Sequence, residues 1–101
     1  MDEATENLAR VKEEVELGVQ MAYNTLERTR EMVKVSQDLL ALREESHRVA
    51  VEQLQQGTIL QSQADLAAAR ELEAEASLLQ AQLEYLQSQD ELSVATGQMP
   101  D

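Results

Sequence analysis

The sequence predicts an all-α protein, a long antiparallel two-helix coiled-coil hairpin. Three observations support this fold class. Ala, Leu, Glu, Gln and Arg dominate the 101 residues, which contain only three Gly and one Pro, a composition typical of long helices. Apolar residues recur at alternating spacings of three and four. One turn signal, around Gly57, interrupts the helical pattern, and aromatic residues make up only 2% of the chain, so a compact globular core is not expected.

The helix boundaries follow from the few residues that break a helix. Gly18 lies inside the first helical stretch, where a glycine costs about 1 kcal/mol relative to alanine. Gly57 is predicted to end helix one in the left-handed conformation, and Thr58 to cap the start of helix two. The predicted organisation is helix one at about residues 4–55, the turn at about 56–58, helix two at about 59–95 and a tail at 96–101.

Each helix carries one apolar seam at heptad spacing, as expected where two helices pack along their length. The seam positions of helix one are Val15, Val19, Ala22, Leu26, Thr29, Val33, Ser36, Leu40, Arg43, His47, Ala50 and Leu54, and those of helix two are Leu60, Ala64, Ala67, Glu71, Ala74, Leu78, Ala81, Tyr85, Ser88, Leu92 and Ala95.

Chain reversal at Gly57 predicts which seam residues lie level with one another. A large residue then faces a small one at each level, which allows close antiparallel packing without voids. The predicted levels pair Leu40 with Ala74, Ser36 with Leu78, Val33 with Ala81, Thr29 with Tyr85, Leu26 with Ser88, Ala22 with Leu92 and Val19 with Ala95.

The same register brings the two oppositely charged seam residues, Arg43 and Glu71, level with each other. They are predicted to pair and to disfavour slipped registers, in which either charge would face an apolar residue. His47 lies level with Ala67. Without a Cys or a second His in the chain, it is interpreted as a seam residue with its polar edge at the surface.

A second apolar stripe on each helix is offset by about 100° from the seam. The two stripes fall on opposite faces of the hairpin because the helices are antiparallel, so they predict self-association. A head-to-tail ring and a dimer or four-helix bundle agree equally well with this pattern. The stripes are Met32, Val35, Leu39, Leu42 and Val49 on helix one, and Leu66, Leu72, Ala76, Leu79, Leu83 and Leu86 on helix two.

Charge and motifs argue against several classes of function. The net charge of −12 disfavours binding to nucleic acid and to anionic membrane surfaces. No nucleophile lies beside a base, and no glycine-rich phosphate loop or cluster of metal ligands is present, so no enzyme activity, catalytic residue, cofactor or metal is expected.

No apolar run reaches the ~18 to 20 residues of a membrane span, so the segment is expected to be soluble. Residues 1–6 lack the apolar core of a secretory signal. The chain is therefore expected to be either cytosolic or an internal piece of a longer exported protein.

The ordered pattern resembles the C-terminal periplasmic helical hairpin of the TolC-like outer-membrane efflux protein family. The match extends over nearly the whole chain, and each part of it alone is weakly specific. The matching residues are Ala22-Tyr23 with Leu26, then Gly57-Thr58-Ile59, and then Leu78, Ala81, Tyr85-Leu86, Leu92, Ala95 and Gly97.

The resemblance implies a trimeric channel whose hairpins form an α-helical barrel across the periplasm, continuous with an outer-membrane β-barrel. The turn would dock a periplasmic adaptor protein of an efflux pump, and the excised hairpin would have no transport activity of its own. The implied adaptor contacts are Gln55, Gln56, Gly57, Thr58, Ile59 and Leu60.

The chain departs from the family pattern at Gln63, where many members carry an acidic residue that narrows the tunnel entrance; Asp65 is nearby but out of phase. Gln61, Ser62 and Gln63 are the candidates for a weaker polar ring facing the lumen. The alternative hypothesis is a stand-alone antiparallel coiled coil that is structural or binds a partner helix.

Overall fold

The computed structural model describes residues 2–97, and this part of the chain forms two α-helices. Helix α1 is Asp2–Gln55, helix α2 is Gln61–Gly97, and a turn at 56–60 joins them. Residues 2–97 contain no strand. The predicted all-α helical hairpin is therefore confirmed.

Both helices extend beyond their expected outer ends, and α2 begins later than expected. Helix α1 starts at Asp2, and α2 starts at Gln61 and ends at Gly97. Thr96, which the sequence predicts in the tail, is helical, and its hydroxyl donates to the carbonyl of Leu92 over 2.9 Å. Residues 98–101 of the predicted tail lie outside the described residues.

The chain divides into two compact units. The tip unit is Glu31–Leu83 and contains the turn. The terminal unit contains residues 2–30 and 84–97 of the described chain. Its inner ends, Arg30 on α1 and Glu84 on α2, are level with each other in the predicted register.

Burial follows the predicted seams. Every seam residue is buried or half-buried except Leu60, which belongs to the turn. Small side chains dominate the buried set, because two helices approach closely only where their facing side chains are short. The buried seam residues are Leu26, Thr29, Ser36, Ala50, Ala64, Ala74, Ala81 and Ser88.

The predicted pairing of Arg43 with Glu71 is wrong. Within residues 2–97 no ion pair joins them, and the carboxylate of Glu71 contacts His47 Nδ1 instead. Helical side chains lean toward the N-terminus of their own helix. In an antiparallel pair, the side chains of level residues therefore lean in opposite directions along the hairpin. Glu71 leans toward residues 56–60 and contacts His47, which lies one helical turn nearer to them than Arg43.

The terminal unit shows the same offset between side chains. The hydroxyl of Thr29 donates to Ser88 Oγ over 3.1 Å, whereas Tyr85 was the residue expected to face it. The hydroxyl of Ser88 in turn donates to the carbonyl of Glu84 over 2.8 Å. Both hydroxyl side chains are buried, and these contacts provide the partners that buried polar groups require.

Candidate docking tip

The tip begins where α1 ends, at a glycine in the left-handed conformation. Gly57 has a φ of +74°, a value that costs other residues energy because of their Cβ atoms. Its amide donates to the carbonyl of Leu54 over 3.0 Å, and the amide of Thr58 donates to the carbonyl of Gln53 over 2.9 Å. These two bonds form a Schellman motif, which closes the C-terminus of α1 as predicted for Gly57.

Thr58 does not cap α2, contrary to the prediction. Its hydroxyl donates to the carbonyl of Gln53 over 3.0 Å, so its side chain and its amide both bind the end of α1. Helix α2 begins three residues further on, at Gln61. That position is too far along the chain for Thr58 to be its N-cap, which directly precedes the first helical residue.

Leu60 is the N-cap residue of α2, and Gln63 satisfies its amide. The Leu60 amide donates to Gln63 Oε1 over 2.9 Å. In return, the amides of Gln63 and Ala64 donate to the Leu60 carbonyl over 3.0 and 3.3 Å. This is the returning half of a capping box, in which the third helical residue binds the amide of the N-cap. The Leu60 side chain remains 69% exposed.

The three candidates for a polar ring differ in their local contacts. Gln63 Oε1 is used by the cap, and Gln61 Nε2 donates to Asp65 Oδ1 over 2.9 Å. Ser62 is exposed. The cap role of Gln63 was missed in the sequence, although a Gln three residues after the N-cap is a known sign of a helix start.

The other predicted tip residues lie on the surface or near it. Gln55 is the last residue of α1, Gln56 follows it in the turn, and both are exposed, whereas Ile59 is half-buried. The turn therefore brings Gln55, Gln56 and Leu60 to one exposed end of the tip unit. The register pair Arg43 and Glu71 lies further along the helices and is not part of this end.

Charged side chains flank the turn on both helices, but the turn and the adjoining helix ends have none. Residues 53–64 contain no ionisable side chain. On the α1 side, Arg48 contacts Glu52 at 2.7 Å and Glu45 at 2.5 Å. The hydrogen bond from Arg48 lowers the pKa of Glu45, and the Glu45 carboxylate raises the pKa of Arg48.

Residues 2–97 contain no group of three or more His, Asp or Glu side chains that could hold a metal ion. Neither helix of this range has a stretch long and apolar enough to span a bilayer.

Comparisons of the chain with protein-family models, with curated proteins and with solved structures yield no match. The resemblance to the TolC-like family therefore depends on the ordered residues alone.

Proposed function

We propose that the chain is a periplasmic tunnel segment of a TolC-like outer-membrane efflux channel, with the turn as its adaptor-docking tip. The observation that carries the proposal is a helical hairpin with a capped, uncharged tip and two exposed apolar stripes along its sides. In this function, substrate passes through a lumen formed by several hairpins without any covalent chemistry.

The exposed stripes support assembly of hairpins side by side. On α1, Met32, Val35, Leu39 and Leu42 are exposed, and Val49 is half-buried. All members of the α2 stripe are exposed, and Leu79 retains 67% of its accessible surface. Burying one such leucine contributes about 1.5 to 3 kcal/mol. Two different apolar surfaces on opposite faces favour a head-to-tail contact, which closes into a ring when the rotation between copies permits.

The capped turn supports the docking role. Gly57, Thr58 and Gln63 each satisfy or replace backbone hydrogen bonds that a helix end leaves open. A binding surface that is ordered before its partner arrives loses less conformational entropy on binding.

The reading frame that encodes this chain tests the proposal. We expect it to encode, on either side of the hairpin, segments of about 10 residues with alternating apolar and polar character, which are typical of outer-membrane β-strands. We also expect a secretory signal and a second helical hairpin.

A frame that starts at Met1 and stops after Asp101 would overturn the efflux function. The exposed stripes would then favour the stand-alone coiled coil, in which a stripe binds a partner helix.

A further inference from the structure

We infer that the tip recognises its protein partner without charge pairing, with Leu60 as the apolar anchor and Gln63 as the residue that positions it. This inference rests on the proposed function, in which the turn docks an adaptor. It adds the chemistry of the contact and the role of a residue that the family resemblance associates with the lumen.

The distribution of charge carries the first step. Charged residues make up 28% of the chain, yet residues 53–64 have none. Gln53, Gln55 and Gln56 precede the turn glycine, and all three are exposed. Amide side chains donate and accept hydrogen bonds without a net charge. A partner therefore meets a neutral hydrogen-bonding surface, although the protein as a whole is strongly acidic.

The exposure of Leu60 carries the second step. The aliphatic side chain of Leu60 interrupts this polar surface and is 69% exposed. An apolar residue surrounded by polar groups has the arrangement of a protein interface, where an anchor fills a pocket and the polar rim excludes water. The partner is accordingly a protein surface with a small apolar pocket bordered by uncharged hydrogen-bonding groups.

The capping contact carries the third step. Gln63 Oε1 accepts the amide hydrogen bond of Leu60, and the Leu60 carbonyl binds the first turn of α2. The backbone of the anchor is thus held on both sides. Gln63 acts through Leu60, because its own amide oxygen is already used in the cap.

A titration followed by NMR tests the inference. The ¹⁵N-labelled chain is titrated with the purified periplasmic domain of the adaptor encoded together with the parent channel. We expect amide shifts at Gly57, Thr58 and Leu60. The affinity should change less than about twofold between 50 and 500 mM NaCl, because uncharged contacts are not screened by salt.

Matched variants separate the anchor from the helix surface. Leu60→Ser should weaken binding by about tenfold or more, and it should not unfold α2, because Ser is a favourable N-cap. Leu8→Ser removes an equally exposed leucine outside the turn and outside both stripes, and it should leave the affinity within about twofold of the original.

Two substitutions test the positioning role of Gln63. Gln63→Ala should weaken binding about fivefold through loss of the ordered anchor. Gln63→Glu keeps an acceptor at the capping position and should restore most of the affinity. Circular dichroism at 222 nm verifies that each variant remains helical.

Four results would overturn the inference. Binding that falls tenfold with salt, or that is unchanged in Leu60→Ser, would contradict uncharged recognition or the anchor while leaving adaptor docking intact. Equal affinities of Gln63→Ala and the original chain would contradict the positioning role. If a folded chain shows no amide shifts with the adaptor at millimolar concentration, adaptor docking itself fails, and the inference fails with it.

Discussion

His47 and Glu71 join the two helices inside the tip unit through an imidazole–carboxylate contact. The sequence places a different basic residue, Arg43, level with Glu71, so the contact reflects the direction of the side chains rather than the level of their Cα atoms. His47 is the one histidine of the chain, and its position on the seam makes the pair specific to this register.

A double-mutant cycle should detect coupling between His47 and Glu71. With His47→Ala and Glu71→Gln, we expect a coupling of about 0.5 to 1 kcal/mol in the free energy of unfolding, because both side chains are only partly exposed. Urea unfolding followed at 222 nm measures it. The control cycle, Arg43→Ala with Glu71→Gln, should give coupling below about 0.3 kcal/mol. Stronger coupling with Arg43 than with His47 would contradict the observed pairing.

The hydroxyl pair in the terminal unit should not tolerate a larger side chain. Ser88 is 3% exposed, so Ser88→Leu should lower the free energy of unfolding by about 1 to 3 kcal/mol through overpacking. Ser93 is exposed on the same helix, and Ser93→Leu should change the free energy of unfolding by less than about 0.5 kcal/mol. Thermal unfolding of both variants makes the comparison. Equal effects would indicate that Ser88 does not lie in a close interhelical contact.

Two glycine substitutions should act in opposite directions. Gly57 has a positive φ, so Gly57→Ala should destabilise the protein by about 1 to 2 kcal/mol. Gly18 lies inside α1, where an added Cβ would meet nothing within 4 Å beyond its chain neighbours and the backbone of its own helix, so Gly18→Ala should stabilise the protein by about 0.5 to 1 kcal/mol. Chemical unfolding provides both values. A stabilising Gly57→Ala would contradict the left-handed turn.

The pairing of Glu45 with Arg48 predicts a dependence on pH. Arg48 lowers the pKa of Glu45 from 4.5, so the pair stabilises the folded chain above pH 4.5 and loses that contribution as the pH falls through the lowered value. Glu45→Gln should therefore reduce the melting temperature slightly at pH 7, and the difference should shrink below pH 4.5.

Glu73→Gln serves as the control, because Glu73 forms no ion pair within residues 2–97. A melting-temperature difference between Glu45→Gln and the original chain that grows as the pH falls would contradict the predicted pH dependence.

The head-to-tail contact predicts complementary variants. Leu39→Glu interrupts the α1 stripe and Leu79→Glu the α2 stripe, so each variant should be monomeric while the original chain self-associates. An equimolar mixture should form a heterodimer, because each variant retains the stripe that the other lacks. Sedimentation velocity distinguishes these species.

Gln37→Glu adds a charge to an exposed position outside both stripes and should leave self-association intact. A mixture of the two stripe variants that stays monomeric would contradict the head-to-tail contact, as would an original chain that is monomeric at every concentration.

The two helices, their seams and the turn glycine are all recognisable in the linear order of residues. Heptad spacing identifies the side chains that two helices can bury together, and burial follows it from Val15 to Ala95 with Leu60 as the exception. Gly57 was recognisable because the left-handed conformation favours a residue without a Cβ atom. These features depend on local periodicity and backbone sterics, which a linear pattern contains.

The side-chain partners and the capping of the turn follow from how the folded helices pack against each other. Glu71 meets His47, and Thr29 meets Ser88, because side chains of antiparallel helices lean in opposite directions. Gln63 caps Leu60 because α2 begins at Gln61. That starting point depends on how the chain leaves the Schellman motif, and hence on hydrogen bonds between residues that the heptad pattern does not relate.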